Sequence, residues 1–548
     1  MEPPPRLPSD RRRVAAAWAI LLVVAIALWA PFDGSTTPNG DGWILKNRAA
    51  TGAVLFAGEP TRALLALPWA IAQLLTPDSF LGVHLLFIVI IWMKGVALFT
   101  IVRHLPGGED DLAFLSGALL MVHPASTWTM AIDGPLDRHW AVLFLLAAVC
   151  FLLLGMHRRA RAWFAAMGAA QILSLWTNEA ILPVALTVPA LIWWIARDNR
   201  RSVNRHIGLW LVLPICNAVH NLVHHLAGAL APHHTSRVSH GVAILALDDG
   251  WRPMATSLVL AYRRHFVDCW IRSVRSFPSD WSLVATALIA ATAVTAVSLL
   301  LSPRMLKTDR RLPRILVVAG LVLVGCGFVA FVPTNLRFTD GRSFIISSLG
   351  AALALTGAVF WFAGVGPRLR VVGTVVLSSF IGIGTAQLLK QHGAYVRGSR
   401  SQDAILAAIV EQAPTVRPRT VFAVTFNETP MGAHRRTGFW PRNNVIENAV
   451  QFLYDDASLR ARLVFRGPKS AFHLTDKGLA RTPRPGMPPW LADYSRVLVY
   501  RDRPGRPTTL LPRLPDRLRG PSADSYHPER IITPDESPTP RLSLAQHD

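Results

Sequence analysis

Cysteine is scarce: the 548 residues hold four, Cys150, Cys216, Cys269 and Cys326. None stands in a C-x-x-C or other metal-ligand spacing, so neither a disulfide framework nor a zinc site is indicated. Three lie in or near apolar runs, where cysteine behaves as a small hydrophobe; Cys269 would face an oxidising compartment alone. No internal repeat is present, and no H-E-x-x-H frame. Acid is in deficit, with 34 Asp and Glu against 56 Lys and Arg, a net charge of +22. In a soluble chain that excess would suggest nucleic acid. No aromatic-and-basic nucleic-acid motif occurs, and much of the basic charge sits in short loops between apolar runs, where it fixes orientation. Nucleic acid is excluded as a partner on that ground.

What the chain has instead is apolar length. Stretches of about 17–25 mostly uncharged residues recur, the length needed to cross hydrocarbon. The expectation is an all-α polytopic membrane protein. Arg11, Arg12 and Arg13 precede an apolar run from Val14 to Ala30. The run is longer than a usual signal-peptide core and no small-x-small site follows it, so it reads as an uncleaved anchor with residues 1–13 in the cytoplasm. A short piece, Ala63 to Leu75, holds Pro68 and reads as a membrane-surface helix. Further spans follow over Phe80–Val102, Leu112–Ile132 and Trp140–Met156. A tight pair turns around Thr177-Asn178-Glu179, and more spans cover Ile207–Val223, Leu283–Leu301, Ile315–Val332, Phe344–Phe362 and Val371–Leu389. The total is about eleven spans over residues 14–389, with outer loops at 32–79 and 224–282 and the arginine-rich loops all on one side. That places the protein in an inner (plasma) membrane, with the C-terminus on the periplasmic, extracytoplasmic side.

Residues 390–502 change character. Val421–Phe426 and Arg496–Tyr500 read as strands, and Gln402–Glu411 and Val445–Tyr454 as helices. A small periplasmic α/β domain is expected there. From residue 503 to 548 the chain is rich in Pro, Arg, Asp and Ser and reads as a disordered tail.

Ionisable groups at a membrane edge are costly, so each raises a functional hypothesis. Four clusters fall on the outer side: Asp41 with Glu59, Asp133 with Asp137 and Arg138, Glu179, and Arg337 with Asp340 and Arg342. The first also carries Lys46, Asn47, Arg48 and Arg62. A single such cluster is usually a solvated face; four on one side are a candidate site. Several histidines crowd the end of the Ile207–Val223 span and the loop after it: His220, His224, His225, His233, His234 and His240. His220 and His224 share a helical face, but the spacing is too loose to define a metal site.

The order of these clusters resembles the GT-C superfamily of membrane glycosyltransferases. It is most similar to the transmembrane-and-TPR-containing O-mannosyltransferase type, without the TPR array. Asp41-Gly-Trp-Ile-Leu-Lys-Asn47 is similar to that family's acidic pair followed by an asparagine. His123-Pro124 followed by Asp133 to Arg138 resembles its HP run and short polar turn. Thr177-Asn178-Glu179 with Pro183 resembles its lysine-glutamate turn. Asp340-Gly-Arg342 before Ser-Phe-Ile-Ile-Ser-Ser-Leu-Gly350 resembles its arginine-bearing turn. The sequence departs where the acidic pair is Asp41-Gly42, where Asn178 replaces the lysine, and where Gly341 replaces the glutamate.

The resemblance implies a polyprenyl-phosphate-linked sugar donor and an acceptor that is a glycan, lipid or protein. It implies Asp41 as general base with Glu59 in reserve, and Lys46, Asn47, Arg62, Asp137, Arg138, Glu179 and Arg342 around the substrates. Arg138 and Arg342 would grip the phosphate. The resemblance fixes no cofactor, and a divalent cation stays open. Competing readings are a polysaccharide flippase or transporter, an O-antigen polymerase or ligase, and a non-catalytic GT-C relative.

Overall fold

The computed structural model describes residues 8–29, 37–38, 41–55, 60–77, 79–125, 136–158, 160–196, 200–230, 252–301, 311–332, 343–363, 366–430, 432–433, 443–467, 470–483, 489–518 and 523–533. In chain order the helices are α1 (Pro8–Trp29), α2 (Asp41–Ala50), α3 (Leu67–Leu75), α4 (Leu81–His104), α5 (Asp110–Val122), α6 (Leu136–Arg158), α7 (Arg161–Leu175), α8 (Leu182–Ala185), α9 (Val188–Ala196), α10 (Arg200–Leu230), α11 (Arg252–Arg263), α12 (Cys269–Arg275), α13 (Trp281–Leu301), α14 (Arg311–Val329), α15 (Phe344–Ala363), α16 (Pro367–Gln412), α17 (Asn443–Tyr454) and α18 (Pro528–Ile531). Among the described residues, eight are long and apolar enough to cross a membrane: α1, α4, α6, α10, α13, α14, α15 and α16.

Three of the expected spans come out differently. In the described part of the Leu112–Ile132 run the helix is α5, of 13 residues and about 20 Å at 1.5 Å per residue; residues 126–132 lie outside the described residues. The helix ends because His123 precedes Pro124, whose ring disfavours helical backbone in the residue before it; His123 is extended, with ψ 117°. The pair around Thr177–Glu179 is α7 followed by Glu179–Ile195, bent by 118°, a broken span or re-entrant loop that counts at most as a ninth crossing. Asn178 sets the bend. Its side chain accepts from the Ala180 backbone N–H at 3.1 Å and starts a 3-10 turn over Glu179–Ile181. The second half of the 224–282 loop is also not a free loop. It holds α11, a π-helical turn over Arg264–Asp268, and α12. The Tyr262 hydroxyl donates to the Leu321 carbonyl in the middle of α14.

Lipid offers no hydrophobic drive between helices, so close backbone approach through small residues does the packing. The α14–α15 contact rests on it: a Cβ on Gly320 would sit 2.5 Å from the Gly350 carbonyl oxygen, and one on Gly350 would sit 2.4 Å from that of Gly320. Gly382 and Gly384 press α16 onto the Ala287 carbonyl of α13 and the Val122 carbonyl that ends α5. At the opposite end of the bundle Arg370 grips both oxygens of Asp111 at 2.6 and 2.7 Å and also pairs with Glu109. Arg103 pairs with Asp110 at 2.5 Å. These contacts tie α4, α5 and α16 together where the basic loops fall.

Beyond residue 390 the expected boundary is not a break. Helix α16 runs for 46 residues, about 69 Å, so it continues roughly 40 Å past the hydrocarbon as a stalk. It leads into a mixed sheet of order β2-β1-β6-β7. Here β1 is Val421–Phe426, β2 is Arg460–Val464, β6 is Val497–Arg503 and β7 is Arg506–Leu510. The β1–β2 and β1–β6 pairs are parallel and β6–β7 is antiparallel. A smaller antiparallel sheet holds β3 (Phe472–Leu474), β4 (Leu479–Arg481) and β5 (Leu491–Ala492). The α/β expectation for this part is met in its strands. The disorder expected from residue 503 does not hold as far as 533: β7 and α18 lie inside 503–533, and Val416 bridges Ile532. Residues 534–548 lie outside the described residues.

Candidate functional site

The first outer stretch becomes α2, beginning at Asp41, and it is held from three sides. Ahead of it, Thr37 and Pro38 are bound to the stalk half of α16. The Ser399 hydroxyl accepts from the Thr37 N–H at 2.8 Å, Asp403 accepts from the Thr37 hydroxyl, the Gln402 amide donates to the Pro38 carbonyl at 3.0 Å, and the Tyr395 hydroxyl donates to the Thr37 carbonyl at 3.1 Å. Below it, the fully enclosed Lys46 ammonium donates to the carbonyls of Ser79 (2.9 Å), Pro77 (3.2 Å) and Thr76 (3.4 Å), and lies over the rings of Phe80 and Phe452. Those carbonyls follow the end of α3, where a helix has acceptors to spare and favours a cation. Above it, Asn47 donates to Asn448 (3.0 Å) and Gln451 (3.3 Å) of α17, and Trp43 packs between Phe80 and Phe452.

Lys46 and Asn47 were expected to bind substrate. In the structure both side chains bond protein groups, Lys46 the carbonyls after α3 and Asn47 the amides of α17. The backbone at Asp41 is thereby pinned at the start of a helix. The Asp41 side chain, and Glu59 and Arg342 entirely, lie outside the described residues.

The other four site residues meet. Arg62, in a 3-10 turn over Pro60–Arg62, makes a two-pronged bond to Glu179, Nε to Oε2 at 2.5 Å and Nη2 to Oε1 at 2.7 Å. Next to Glu179, the Asn178 amide donates to Asp137 at 2.7 Å. Asp137 and Arg138, in the first turn of α6, are both buried. The Arg62 and Arg138 guanidiniums are both near enough to act electrostatically on the Asp137 carboxylate. Leu64 closes the arrangement by donating to the Trp176 carbonyl at 2.9 Å. Two guanidiniums and two carboxylates from three separate stretches thus form one cluster at the ends of membrane helices. A phosphate could bridge into it by taking over guanidinium donors now spent on carboxylates.

An aromatic and imidazole path extends the cluster. Arg138 lies over Phe331, which leads through Phe328 and Phe344 to His265 on the π turn. His265 bonds Ser347 at 2.7 Å, and its ring lies 5.2 Å from that of His123. On the other flank the Lys94 ammonium meets His139 Nδ1 at 2.9 Å, both buried, with Phe87 edge-on to the same imidazole. Lys94, His139 and His265 are not among the candidates the sequence suggests, and Asn178 stands there only as part of the turn before Glu179. Lys94 carried a signal: it is the one charge in the middle of the Phe80–Val102 run, and an ionisable group there is a functional candidate by default. His220 and His224 do share a face of α10, with ring centroids 4.5 Å apart.

No protein-family model matches the chain, and no curated protein matches it. Among solved structures the chain is similar to ArnT from Cupriavidus metallidurans, crystallised in the apo state. The identity is 15%, the TM-score 0.32, and the match covers 83% of this chain and 87% of that one. At that TM-score no fold and no residue role is transferred from it.

Proposed function

We propose that this chain is an integral membrane glycosyltransferase, moving a sugar from a polyprenyl-phosphate donor to an acceptor on the outer face. The observation that supports it is the convergence of Arg62, Asp137, Arg138, Asn178 and Glu179 at the end of the bundle where α2 is pinned. The acceptor oxygen forms a bond to the anomeric carbon while the carbon–oxygen bond to the donor phosphate breaks. The acceptor's proton passes to the Asp41 carboxylate, and the electron pair leaves with the phosphate. Asp41 then acts as general base. Arg138 and Arg342 stabilise the departing phosphate through preorganised charge, and Arg62, Asp137 and Glu179 complete the charged cluster around Arg138. The basic ends of α4 and α16 face the cytoplasm, and the site and C-terminal domain face outward.

The test is mass spectrometry of lipid-linked and surface glycans from cells with and without the gene. A transferase defect removes one sugar from the product. Accumulation of a completed precursor instead identifies a flippase and overturns the proposal.

A further inference from the structure

The C-terminal domain carries a cleft that the transfer chemistry does not use. It has a volume of about 670 Å³ and lies along the small β3–β5 sheet. That is within the range of about 300–1,000 Å³ typical of small-molecule sites. Its walls mix two kinds of surface. Trp490, Leu491 and Ala480 are apolar; Thr475, Asp476, Lys477, Arg481 and Thr482 supply hydroxyl, carboxylate and cationic groups.

Trp490 is held in place. Arg462, ion-paired to Glu447 of α17, lies with its guanidinium 5.2 Å from the Trp490 ring and 5.1 Å from that of Phe472. Phe472 and Trp490 meet edge to face at 5.3 Å, and the Arg481 backbone N–H donates to the Trp490 carbonyl at 2.9 Å. A partly buried indole fixed this way, with donors and acceptors around the cleft, suits a ligand with one C–H face and a polar rim. A pyranose has both: its axial C–H groups pack on the negative face of an indole, and its hydroxyls hydrogen-bond around the edge.

We infer that this cleft is a carbohydrate-binding subsite that holds an oligosaccharide acceptor away from the point of transfer. The acceptor role rests on the glycosyltransferase reading; the binding itself does not. The position is suited to it. Glu447, which holds Arg462 beneath the cleft, and Asn448 and Gln451, which bond Asn47 of α2, all belong to α17. One helix therefore supports both the cleft and the segment beginning at Asp41.

The experiment uses the purified full-length chain in lipid nanodiscs, with no lipid-linked donor, titrated with neutral and uronic-acid-containing di- and trisaccharides. The wild type should retain at least one of them. Trp490→Ala should weaken that binding about tenfold or more, as loss of a central aromatic anchor does, and Trp490→Tyr should restore most of it. Because Trp490 packs on Phe472, a second variant guards against misfolding. The double change Asp476→Ala and Lys477→Ala removes two exposed rim groups and should weaken binding severalfold with an unchanged melting profile. No oligosaccharide retained by the wild type at millimolar concentration would overturn the inference, as would equal retention by both variants. Retention by a protein that transfers no sugar would leave the cleft standing and remove the transferase reading.

Discussion

Removing the buried Lys46 ammonium takes a charge-assisted donor from the carbonyls of Thr76, Pro77 and Ser79, of which Pro77 keeps the Gln73 amide and Ser79 the Thr76 hydroxyl. Losing hydrogen bonds from a charged group costs about 1.5–3 kcal/mol. Lys46→Met should therefore lower the detergent melting temperature and the folded yield. A normal melting temperature with weakened donor binding would return Lys46 to the substrate. Arg62 gives the complementary case. Its two-pronged bond to Glu179 needs a planar fork, so Arg62→Lys should lose nearly as much transfer activity as Arg62→Ala. Lysine rescuing most of the activity would show that charge alone is needed there. Of the residues singled out in the sequence, Arg62, Asp137, Arg138 and Glu179 could be read as a cluster because charge at a membrane edge is expensive wherever it occurs. Lys46 and Asn47 could not be separated from them. Their partners are main-chain carbonyls and an amide some 400 positions away, which local sequence does not encode.

Among the elements, α16 was legible only in its first half. The apolar run to Leu389 ends, and polarity rises, but polarity marks the exit from lipid and not the end of a helix. The stop comes at Ala413, ahead of Pro414, and Gly393 and Gly398 are accommodated within the helix. Conversely, the apolar runs of α5 and the bent pair suggest uninterrupted helices, and Pro124 ends the first at Val122 while Asn178 bends the second. The β6–β7 hairpin turns through Pro504-Gly505, with Gly505 at φ +69°, a turn signal masked by the Pro- and Arg-rich composition around it. The glycines of α16 yield a paired prediction. A Cβ at Gly382 would lie 2.2 Å from the Ala287 carbonyl oxygen, so Gly382→Ala should destabilise by about 1–3 kcal/mol through forced separation of α13 and α16. At Gly393 the nearest atom is the far end of Arg397 at 3.5 Å, and alanine there should stabilise by about 0.5–1 kcal/mol through helix propensity. Thermal melts that rank the two the other way would contradict this packing.

At the scale of the molecule, the contacts put α2, the Arg62–Glu179 cluster and the C-terminal domain at one end, and the Arg370–Asp111 and Arg103–Asp110 pairs at the other. With basic loops retained in the cytoplasm, alkaline phosphatase fused after Gly58, Ser236 or Thr533 should be active. Fusions in the Arg200 or Arg310 loops should be silent, and activity there would reverse the orientation of the site.

The proposed function places the catalytic edge at the helix beginning at Asp41. Its most direct test is sugar transfer by Asp41→Asn, read by mass spectrometry of the glycan product, with folded yield and melting temperature measured on the same preparation. The amide keeps the shape of the side chain but cannot accept a proton at neutral pH. Transfer should fall by about 10²–10⁴, the usual cost of losing a general base, while stability stays near that of the wild type. Glu59→Gln is run beside it as the matched change in the same loop. Full transfer by both variants would contradict the account.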